Sequence, residues 1–399
     1  VNLKILGSIA IVAGTAIGAG MLALPLATAA LGVIPTVLLL LVIWGVSAYT
    51  SLLMLEINLK SGVGDNVHVI TGKTLGKTGQ LIQGASFLSL LFALTAAYLT
   101  GGSSLLVLKA QAFFDVVLDK QLAVLLFTVF LGGFAAFGVA WIDKASRLLF
   151  SLMVALLILV VMFLLPDVEM GTLVSGGASL MSTGAGMDVW MAAIPVVFTS
   201  FGFHVCIATL VGYLEGEAKT LRKVLLIGST LPLVCYFLWL TVTLGTLGGE
   251  TINGFNGSLG ALVSALQAVA ESELVSKCIG LFADLALITS FLGVTMSLFD
   301  FVAELTRAKS NVLGRLQTWL ITFVPPLLCA LYYPDGFVKV LGFAAIPLVF
   351  MIIFLPIAMA LGQRKQQQGG YEVSGGTFAL MLTGLVGLMI VLAQLWVAM

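Results

Sequence analysis

Two stretches of this sequence set helix-breaking residues inside apolar runs, and their spacing suits the binding of a small dipolar solute. Gly14-Thr15-Ala16-Ile17-Gly18-Ala19-Gly20-Met21, followed by Pro25, interrupts one run. Pro195, then Phe198-Thr199-Ser200-Phe201-Gly202-Phe203-His204, interrupts another. Glycine holds a helix poorly, and proline removes a donor and crowds the preceding turn. A helix unwound in lipid frees carbonyls from the half ending there, which carry negative partial charge. It also frees N–H groups, positive, from the half starting there. A zwitterionic amino acid needs both sets. Its carboxylate is assigned to the N–H groups of Gly18, Ala19 and Gly20, and its ammonium to carbonyls near Ala16, Phe198 and Thr199; Thr15 and Ser200 belong to the same two stretches. Alone, Gly14-x-x-x-Gly18 reads as close helix packing. Paired breaks in corresponding positions are what favour a substrate site.

Few other polar groups lie in apolar sequence. His204 ends the second break, where it has three readings: carrier of a coupling proton, hydrogen-bond partner of a phenolic substrate, or a group satisfying a neighbouring carbonyl. Asp284 lies about a third of the way into its run and, like His204, counts as an ion-coupling candidate, since intramembrane ionisable groups default to function. Glu56, Asp300 and Glu304 read as interfacial. Thr289 and Ser290 are adjacent hydroxyls that either bond back to their own helix or, with carbonyls from an unwound helix, form an all-oxygen cage for a hard cation. Tyr98 is an aromatic hydroxyl near mid-membrane, a carboxylate partner or gate if it is more than packing.

None of this is catalytic chemistry. The two histidines, His68 and His204, are far apart, and no HExxH, GxSxG or nucleotide-binding loop occurs. Cys206, Cys235, Cys278 and Cys329 show no CxxC spacing and read as small apolar fillers, with neither disulfide nor metal expected. No enzyme and no cofactor beyond a coupling ion, H+ or Na+, is expected. A channel would need a repeated filter or a charged ring. The net charge of zero carries no nucleic-acid footprint, so the partners expected are an amino acid and the bilayer, with no obligatory protein partner.

The elements that must position these groups are membrane helices. Runs long enough to span ~30 Å of hydrocarbon lie at about 5–31, 33–55, 82–106, 121–140, 147–166, 190–213, 223–247, 276–303, 316–333, 337–361 and 377–398, eleven in all. A composition of 60% hydrophobic and 9% charged residues supports that density of spans. With the N-terminus cytoplasmic, Lys4, Lys60, Lys73, Lys77, Lys144, Arg147, Lys219, Arg222, Lys223, Arg307, Lys309, Arg315, Arg364 and Lys365 fall inside, and Lys109, Lys120, Lys277 and Lys339 outside. This is the positive-inside bias, and an odd span count then places the C-terminus outside. The first run exceeds a signal-peptide h-region and is read as a retained helix.

Spans one to five (5–166) and six to ten (190–361) have similar length, and five is odd, so the second block enters from the opposite side. That is an inverted repeat, with span eleven (377–398) added, in one transmembrane domain. Loop 57–81, with five glycines and three lysines, reads as a cytoplasmic connector, and Gln366-Gln367-Gln368-Gly369-Gly370 as a polar inner linker. In loop 248–275, Leu259, Leu262, Val263, Leu266 and Val269 share one face of a helix from Ser258, which either rests on the membrane or caps an outer vestibule.

Leu6-Gly7-Ser8, Ala13 to Pro25, Ala93-Leu94-Thr95-Ala96-Ala97-Tyr98, Ile194 to His204 and Phe282 to Gly293 together resemble the hydroxy/aromatic amino acid permease family of the APC superfamily, nearly end to end. Within it the likeness is greatest to tyrosine permeases, close to tryptophan permeases. The resemblance implies an all-α LeuT-type 5+5 fold, a bacterial inner-membrane location, and import of tyrosine or related aromatic amino acids by proton-motive symport. It implies Phe203 and Phe291 beside the substrate ring. By analogy with sodium-coupled relatives, it implies a cation site at the carbonyls of Gly14, Ile17 and Ala286 with the side chains of Thr289 and Ser290. Some proton-coupled relatives place a lysine in span five facing the first break; here Leu148-Leu149-Phe150-Ser151-Leu152 carries no ionisable group. Protons then travel by another group, such as His204 or Asp284, or sodium occupies the cage. Either way, alternating access by rocking of spans one, two, six and seven against three, four, eight and nine is expected.

Overall fold

The helices are set by apolar length and by the glycines and prolines that punctuate it. The computed structural model describes residues 3–137, 139–173, 186–308, 311–366 and 369–399, without the side chains of 135–147. Lys144, Arg147, Lys309, Gln367 and Gln368 of the charge pattern and linker therefore lie outside what is described. In chain order the helices are α1 (Leu3–Ala16), α2 (Ala19–Thr28), α3 (Val33–Ser61), α4 (Val67–Phe114), α5 (Lys120–Phe137), α6 (Val139–Leu164), α7 (Gly186–Ser200), α8 (Ile207–Tyr213) and α9 (Ala218–Leu247). Then follow α10 (Gly249–Asn253), α11 (Leu259–Val269), α12 (Glu273–Thr306), α13 (Val312–Tyr332), α14 (Phe337–Gln366, with one π turn at Phe350–Phe354) and α15 (Gly376–Ala398).

Among the described residues, nine helical stretches are long and apolar enough to cross a membrane, and α1 with α2 makes a tenth if that bent pair is one span. The run at 121–140 falls on α5, whose described apolar portion, Lys120–Phe134, is shorter. The fold is therefore all-helical and polytopic, as its composition requires: in lipid a spanning backbone must satisfy its own polar groups.

Outward faces carry apolar side chains for the bilayer, such as Phe378, Met381 and Leu385 on α15. Among the described residues three apolar clusters fill the interior, two large ones and a small one of Leu91, Leu298 and Val302. The larger gathers Met21, Leu24, Phe198, Phe201, Tyr236, Trp239, Phe282 and Phe291. A second gathers Val12, Ala16, Leu53, Ile57, Phe203, Ile207 and Leu225.

The connector at 57–81 differs from its expected irregularity. α3 continues to Ser61, and α4 already starts at Val67, capped by the Asn66 side chain accepting from the Val69 N–H at 2.8 Å. Gly76, at φ 69°, kinks α4 there. That left-handed backbone suits glycine, so the residue turns the helix into the membrane without ending it.

In loop 248–275 the apolar face of the expected helix packs on the helix bundle. Ser258 N-caps α11, and Leu259, Leu262, Val263 and Leu266 are buried in the larger cluster with α4 and α12 residues, while Val269 faces out. The Ser104 hydroxyl of α4 accepts from the Gly260 N–H at 2.8 Å, tying α11 to the helix bundle.

At the opposite end, the polar groups of α3 and α14 lock together. Arg364 donates through Nε and Nη2 to the two oxygens of fully buried Glu56, 2.7 Å each, and the Val373 N–H adds a third bond at 2.9 Å. Lys60 donates to Glu372 at 2.5 Å and lies 3.7 Å from Glu56. The Lys60 hydrogen bond holds the Glu372 carboxyl below its ordinary value.

Candidate functional site

The first break opens where the sequence puts its glycines. α1 ends at Ala16, α2 starts at Ala19, and the two halves bend by 48°. Between them Gly18 is extended, with φ 179°. Any residue adopts that conformation, so the demand for glycine is one of space: a Cβ at Gly18 would land on the Ser290 hydroxyl oxygen of α12. At Gly20 a Cβ would stand 3.3 Å from the Ser200 Cα, which measures how closely α2 approaches α7.

The second break follows Ser200. The Phe201 N–H bonds the Phe198 carbonyl at 3.1 Å and the Gly202 N–H that of Thr199 at 3.2 Å, before a 3-10 turn at His204–Cys206 leads into α8. These tightened bonds are the usual way a helix end satisfies its last carbonyls. They also engage two of the carbonyls assigned to an ammonium.

Three contacts join the breaks to each other and to α9 and α12. The Ser200 hydroxyl approaches the Gly20 carbonyl at 3.3 Å while donating to Val196 at 2.9 Å. The Ala19 N–H donates to the Ser290 Oγ at 2.9 Å. The Tyr236 hydroxyl of α9 lies 2.7 Å from the Ala16 carbonyl oxygen and 2.6 Å from that of Ser200. Among the described residues no acceptor meets the N–H of Gly18 or Gly20, so two of the three donors assigned to a carboxylate stand unused and the third is held by serine.

Of the residues assigned to a cation, Ala286 and Ser290 lie against the first break at Gly18. Thr289 donates to the Leu285 carbonyl at 2.7 Å and Ser290 to that of Ala286 at 2.8 Å, the back-bonding alternative for both. Thr15 likewise bonds Ile11 at 2.7 Å and Thr199 bonds Pro195 at 2.9 Å. The ring of Phe150, from α6, comes within 3.0 Å of where a Gly14 Cβ would sit. An apolar ring thus occupies the span-five position facing the break.

His204 is turned toward α3. Its Nε2 lies 2.8 Å from the Thr50 Oγ1 and 3.2 Å from the Ser47 carbonyl oxygen, while its buried Nδ1 has no partner among the described residues. Asp284, about a third of the way along α12, is paired with Lys109 near the C-terminal end of α4 at 2.5 Å. Tyr98 is buried within electrostatic reach of Tyr236.

The structure brings together Ala16, Gly18, Ala19, Gly20, Ser200, Ala286 and Ser290. It does not bring together the two phenylalanines: Phe203 stacks on His204 in the second cluster, with centroids 4.7 Å apart, whereas Phe291 packs edge-on against Phe127 at 5.6 Å in the larger one. Tyr236 and Thr50 were not singled out by sequence, and Lys109 and Phe150 entered only as a loop charge and as part of span five. Tyr236 and Thr50 carry a faint signal, as polar groups in apolar runs; Phe150 carries none.

Such an arrangement offers a small solute unpaired N–H groups beside helix-end carbonyls, which is binding chemistry and not bond-breaking chemistry. The sequence profile of the tryptophan/tyrosine permease family matches residues 2–394. "Tyrosine-specific transport system 1" of Haemophilus influenzae is 38% identical over 396 residues, covering 97% of this chain and 95% of that protein. "Glutamine transporter 2" of Aliivibrio fischeri is 34% identical, covering 99% of this chain and 100% of that one. "Tryptophan-specific transport protein" of Haemophilus influenzae is also 34% identical, covering 98% and 96%.

Proposed function

The chain belongs to the tryptophan/tyrosine permease family, and from that premise we propose that it imports an aromatic amino acid, tyrosine first, by proton-coupled symport through alternating access. The family and these relatives are transporters, not enzymes, and the many apolar helices make the chain an integral membrane protein. The observation that carries the substrate reading is the convergence of two broken helices, with the N–H groups of Gly18 and Gly20 unpaired close to the carbonyls of Ala16 and Ser200. A carboxylate and an ammonium borne on one carbon match donors and acceptors brought together by two broken helices. The cytoplasmic N-terminus and outer C-terminus, the eleven spans and the 5+5 inverted repeat with α15 added belong to this proposal, supported by the charge bias and the segment count.

Protons are favoured as the driving ion because the Ser290 oxygen already accepts from the Ala19 N–H. An N–H aimed at that oxygen opposes a cation beside it. His204 and Asp284 are the groups proposed to carry charge. The second reading, sodium-coupled uptake of tryptophan or another neutral amino acid, is supported by the Ser290 hydroxyl lying against the first break and by relatives named for tryptophan and glutamine.

Reconstituted protein with labelled tyrosine, under separately imposed proton and sodium gradients and with tryptophan, phenylalanine and glutamine as competitors, tests both. Uptake driven by an inward proton gradient and displaced by aromatic competitors supports the first reading. A sodium response supports the second, and no response to any gradient would refute both.

A further inference from the structure

Tyr236 belongs to no motif, yet it is the one described side chain whose polar atom bonds both breaks. Ala16 is the last residue of α1 and Ser200 the last of α7, so the carbonyls it meets are both C-terminal helix carbonyls, exposed by the chain break and negative in partial charge. They lie 2.7 and 2.6 Å from one phenolic oxygen. A phenol has a single proton. It completes one of these bonds at a time, and the other carbonyl faces the same oxygen undonated. The ring is fully buried and held edge-on to Phe201, with centroids 5.1 Å apart, so packing fixes the ring and leaves only the O–H rotor free.

Resting on the amino-acid reading above, we propose that Tyr236 is a positioning residue whose proton clasps the C-terminal ends of the two broken helices. Without it, two like dipole ends would face each other in an apolar interior and move apart. With it, the unwound backbone keeps the register in which the Gly18 and Gly20 N–H groups meet a carboxylate. The carbonyl left undonated at any moment is the natural acceptor for the substrate's ammonium. As the half-helices move, the proton passes from one carbonyl to the other by rotation about the C–O bond, so the clasp survives the motion.

Tyr236→Phe keeps the ring and removes only the proton; Tyr236→Leu removes both. Full-length protein in proteoliposomes is assayed with tritiated tyrosine, and amide exchange is read by mass spectrometry on peptides spanning 14–21 and 198–206. Tyr236→Phe should raise KM about tenfold with the maximal rate changed by about twofold at most, and should speed exchange in both peptides together. Tyr236→Leu should raise KM no more than about twofold beyond Tyr236→Phe.

A raised KM in Tyr236→Leu with wild-type KM in Tyr236→Phe would make Tyr236 a packing residue and overturn the proposal. So would wild-type KM and exchange in Tyr236→Phe. Should that variant fail to insert, 3,5-difluorotyrosine placed at position 236 keeps size and fold while strengthening the donor; an unchanged KM and unchanged exchange there overturn the clasp, and a shift in both supports it. A wild-type protein that takes up no tyrosine would refute the substrate reading alone, since the exchange comparison needs no substrate and still decides the clasp.

Discussion

The Ser290 hydroxyl oxygen stands 2.9 Å from the amide nitrogen of Ala19, linking α12 to the first residue of α2 across 271 positions of sequence. The same hydroxyl donates to the Ala286 carbonyl at 2.8 Å. One serine therefore satisfies a donor that the break exposes, and its oxygen sits where a side chain at Gly18 would have to go. Several expected outcomes rest on that contact and on the inner lock.

Gly18→Ala should reduce tyrosine uptake to below about a tenth of wild type, measured per molecule at the membrane, because its Cβ collides with the Ser290 oxygen. Adding Ser290→Ala removes that oxygen and leaves the Ser290 Cβ at 3.6 Å, an ordinary contact. The double variant should transport better than Gly18→Ala alone, a non-additivity expected of touching residues. A double variant no better than the single one would refute the steric account.

Ser290→Ala by itself takes away the acceptor of the Ala19 N–H. Uptake should fall, while the response to an imposed proton gradient persists and sodium remains without effect. A sodium response in wild type that disappears in Ser290→Ala would instead place the coupling ion in the hydroxyl cage.

Arg364→Ala leaves the carboxylate of Glu56, fully buried, without its bidentate partner. Breaking a buried pair from one side costs about 3–5 kcal/mol, which should appear as a lower melting temperature in detergent. Arg364→Lys should recover only part of the loss, since an ammonium cannot reproduce the fork. Adding Glu56→Gln to Arg364→Ala should recover stability by removing the stranded charge.

The Lys60–Glu372 pair should make stability depend on acid. Glu372 is held below its ordinary value of 4.5, so its contribution is fully present above that pH and is lost as pH falls through the lowered folded value. Wild type should therefore exceed Glu372→Gln in melting temperature at pH 7, and the gap should close on acidification below about 4.5. A gap that stays constant down to pH 3 would remove the ion pair from the account.

Much of the fold was legible because membrane insertion is decided segment by segment. Apolar length, the glycine run at 14–20 and Pro195 with Gly202 mark spans and interruptions without knowledge of neighbours, and the breaks lie where those residues put them. The connector at 57–81 was less legible: its glycines argued for loop, whereas the Asn66 cap and the tolerance of Gly76 for a left-handed kink let α4 run through it. The site was legible only as backbone. His204 and Asp284 drew attention as ionisable groups in lipid, but nothing in their own sequence could reveal that Thr50 and Lys109 face them.

What the sequence by itself determined is where this chain meets lipid, and where its helices must break, since both follow from the composition of one segment at a time. Only the tertiary structure decided which side chains serve the breaks: Tyr236 bonding Ala16 and Ser200, Ser290 bonding Ala19, Phe150 filling the space beside Gly14. A tyrosine, serine or phenylalanine in an apolar run reads the same whether it faces lipid, a neighbour or a gap. Helix packing alone selects among the three, by turning one face of each helix inward.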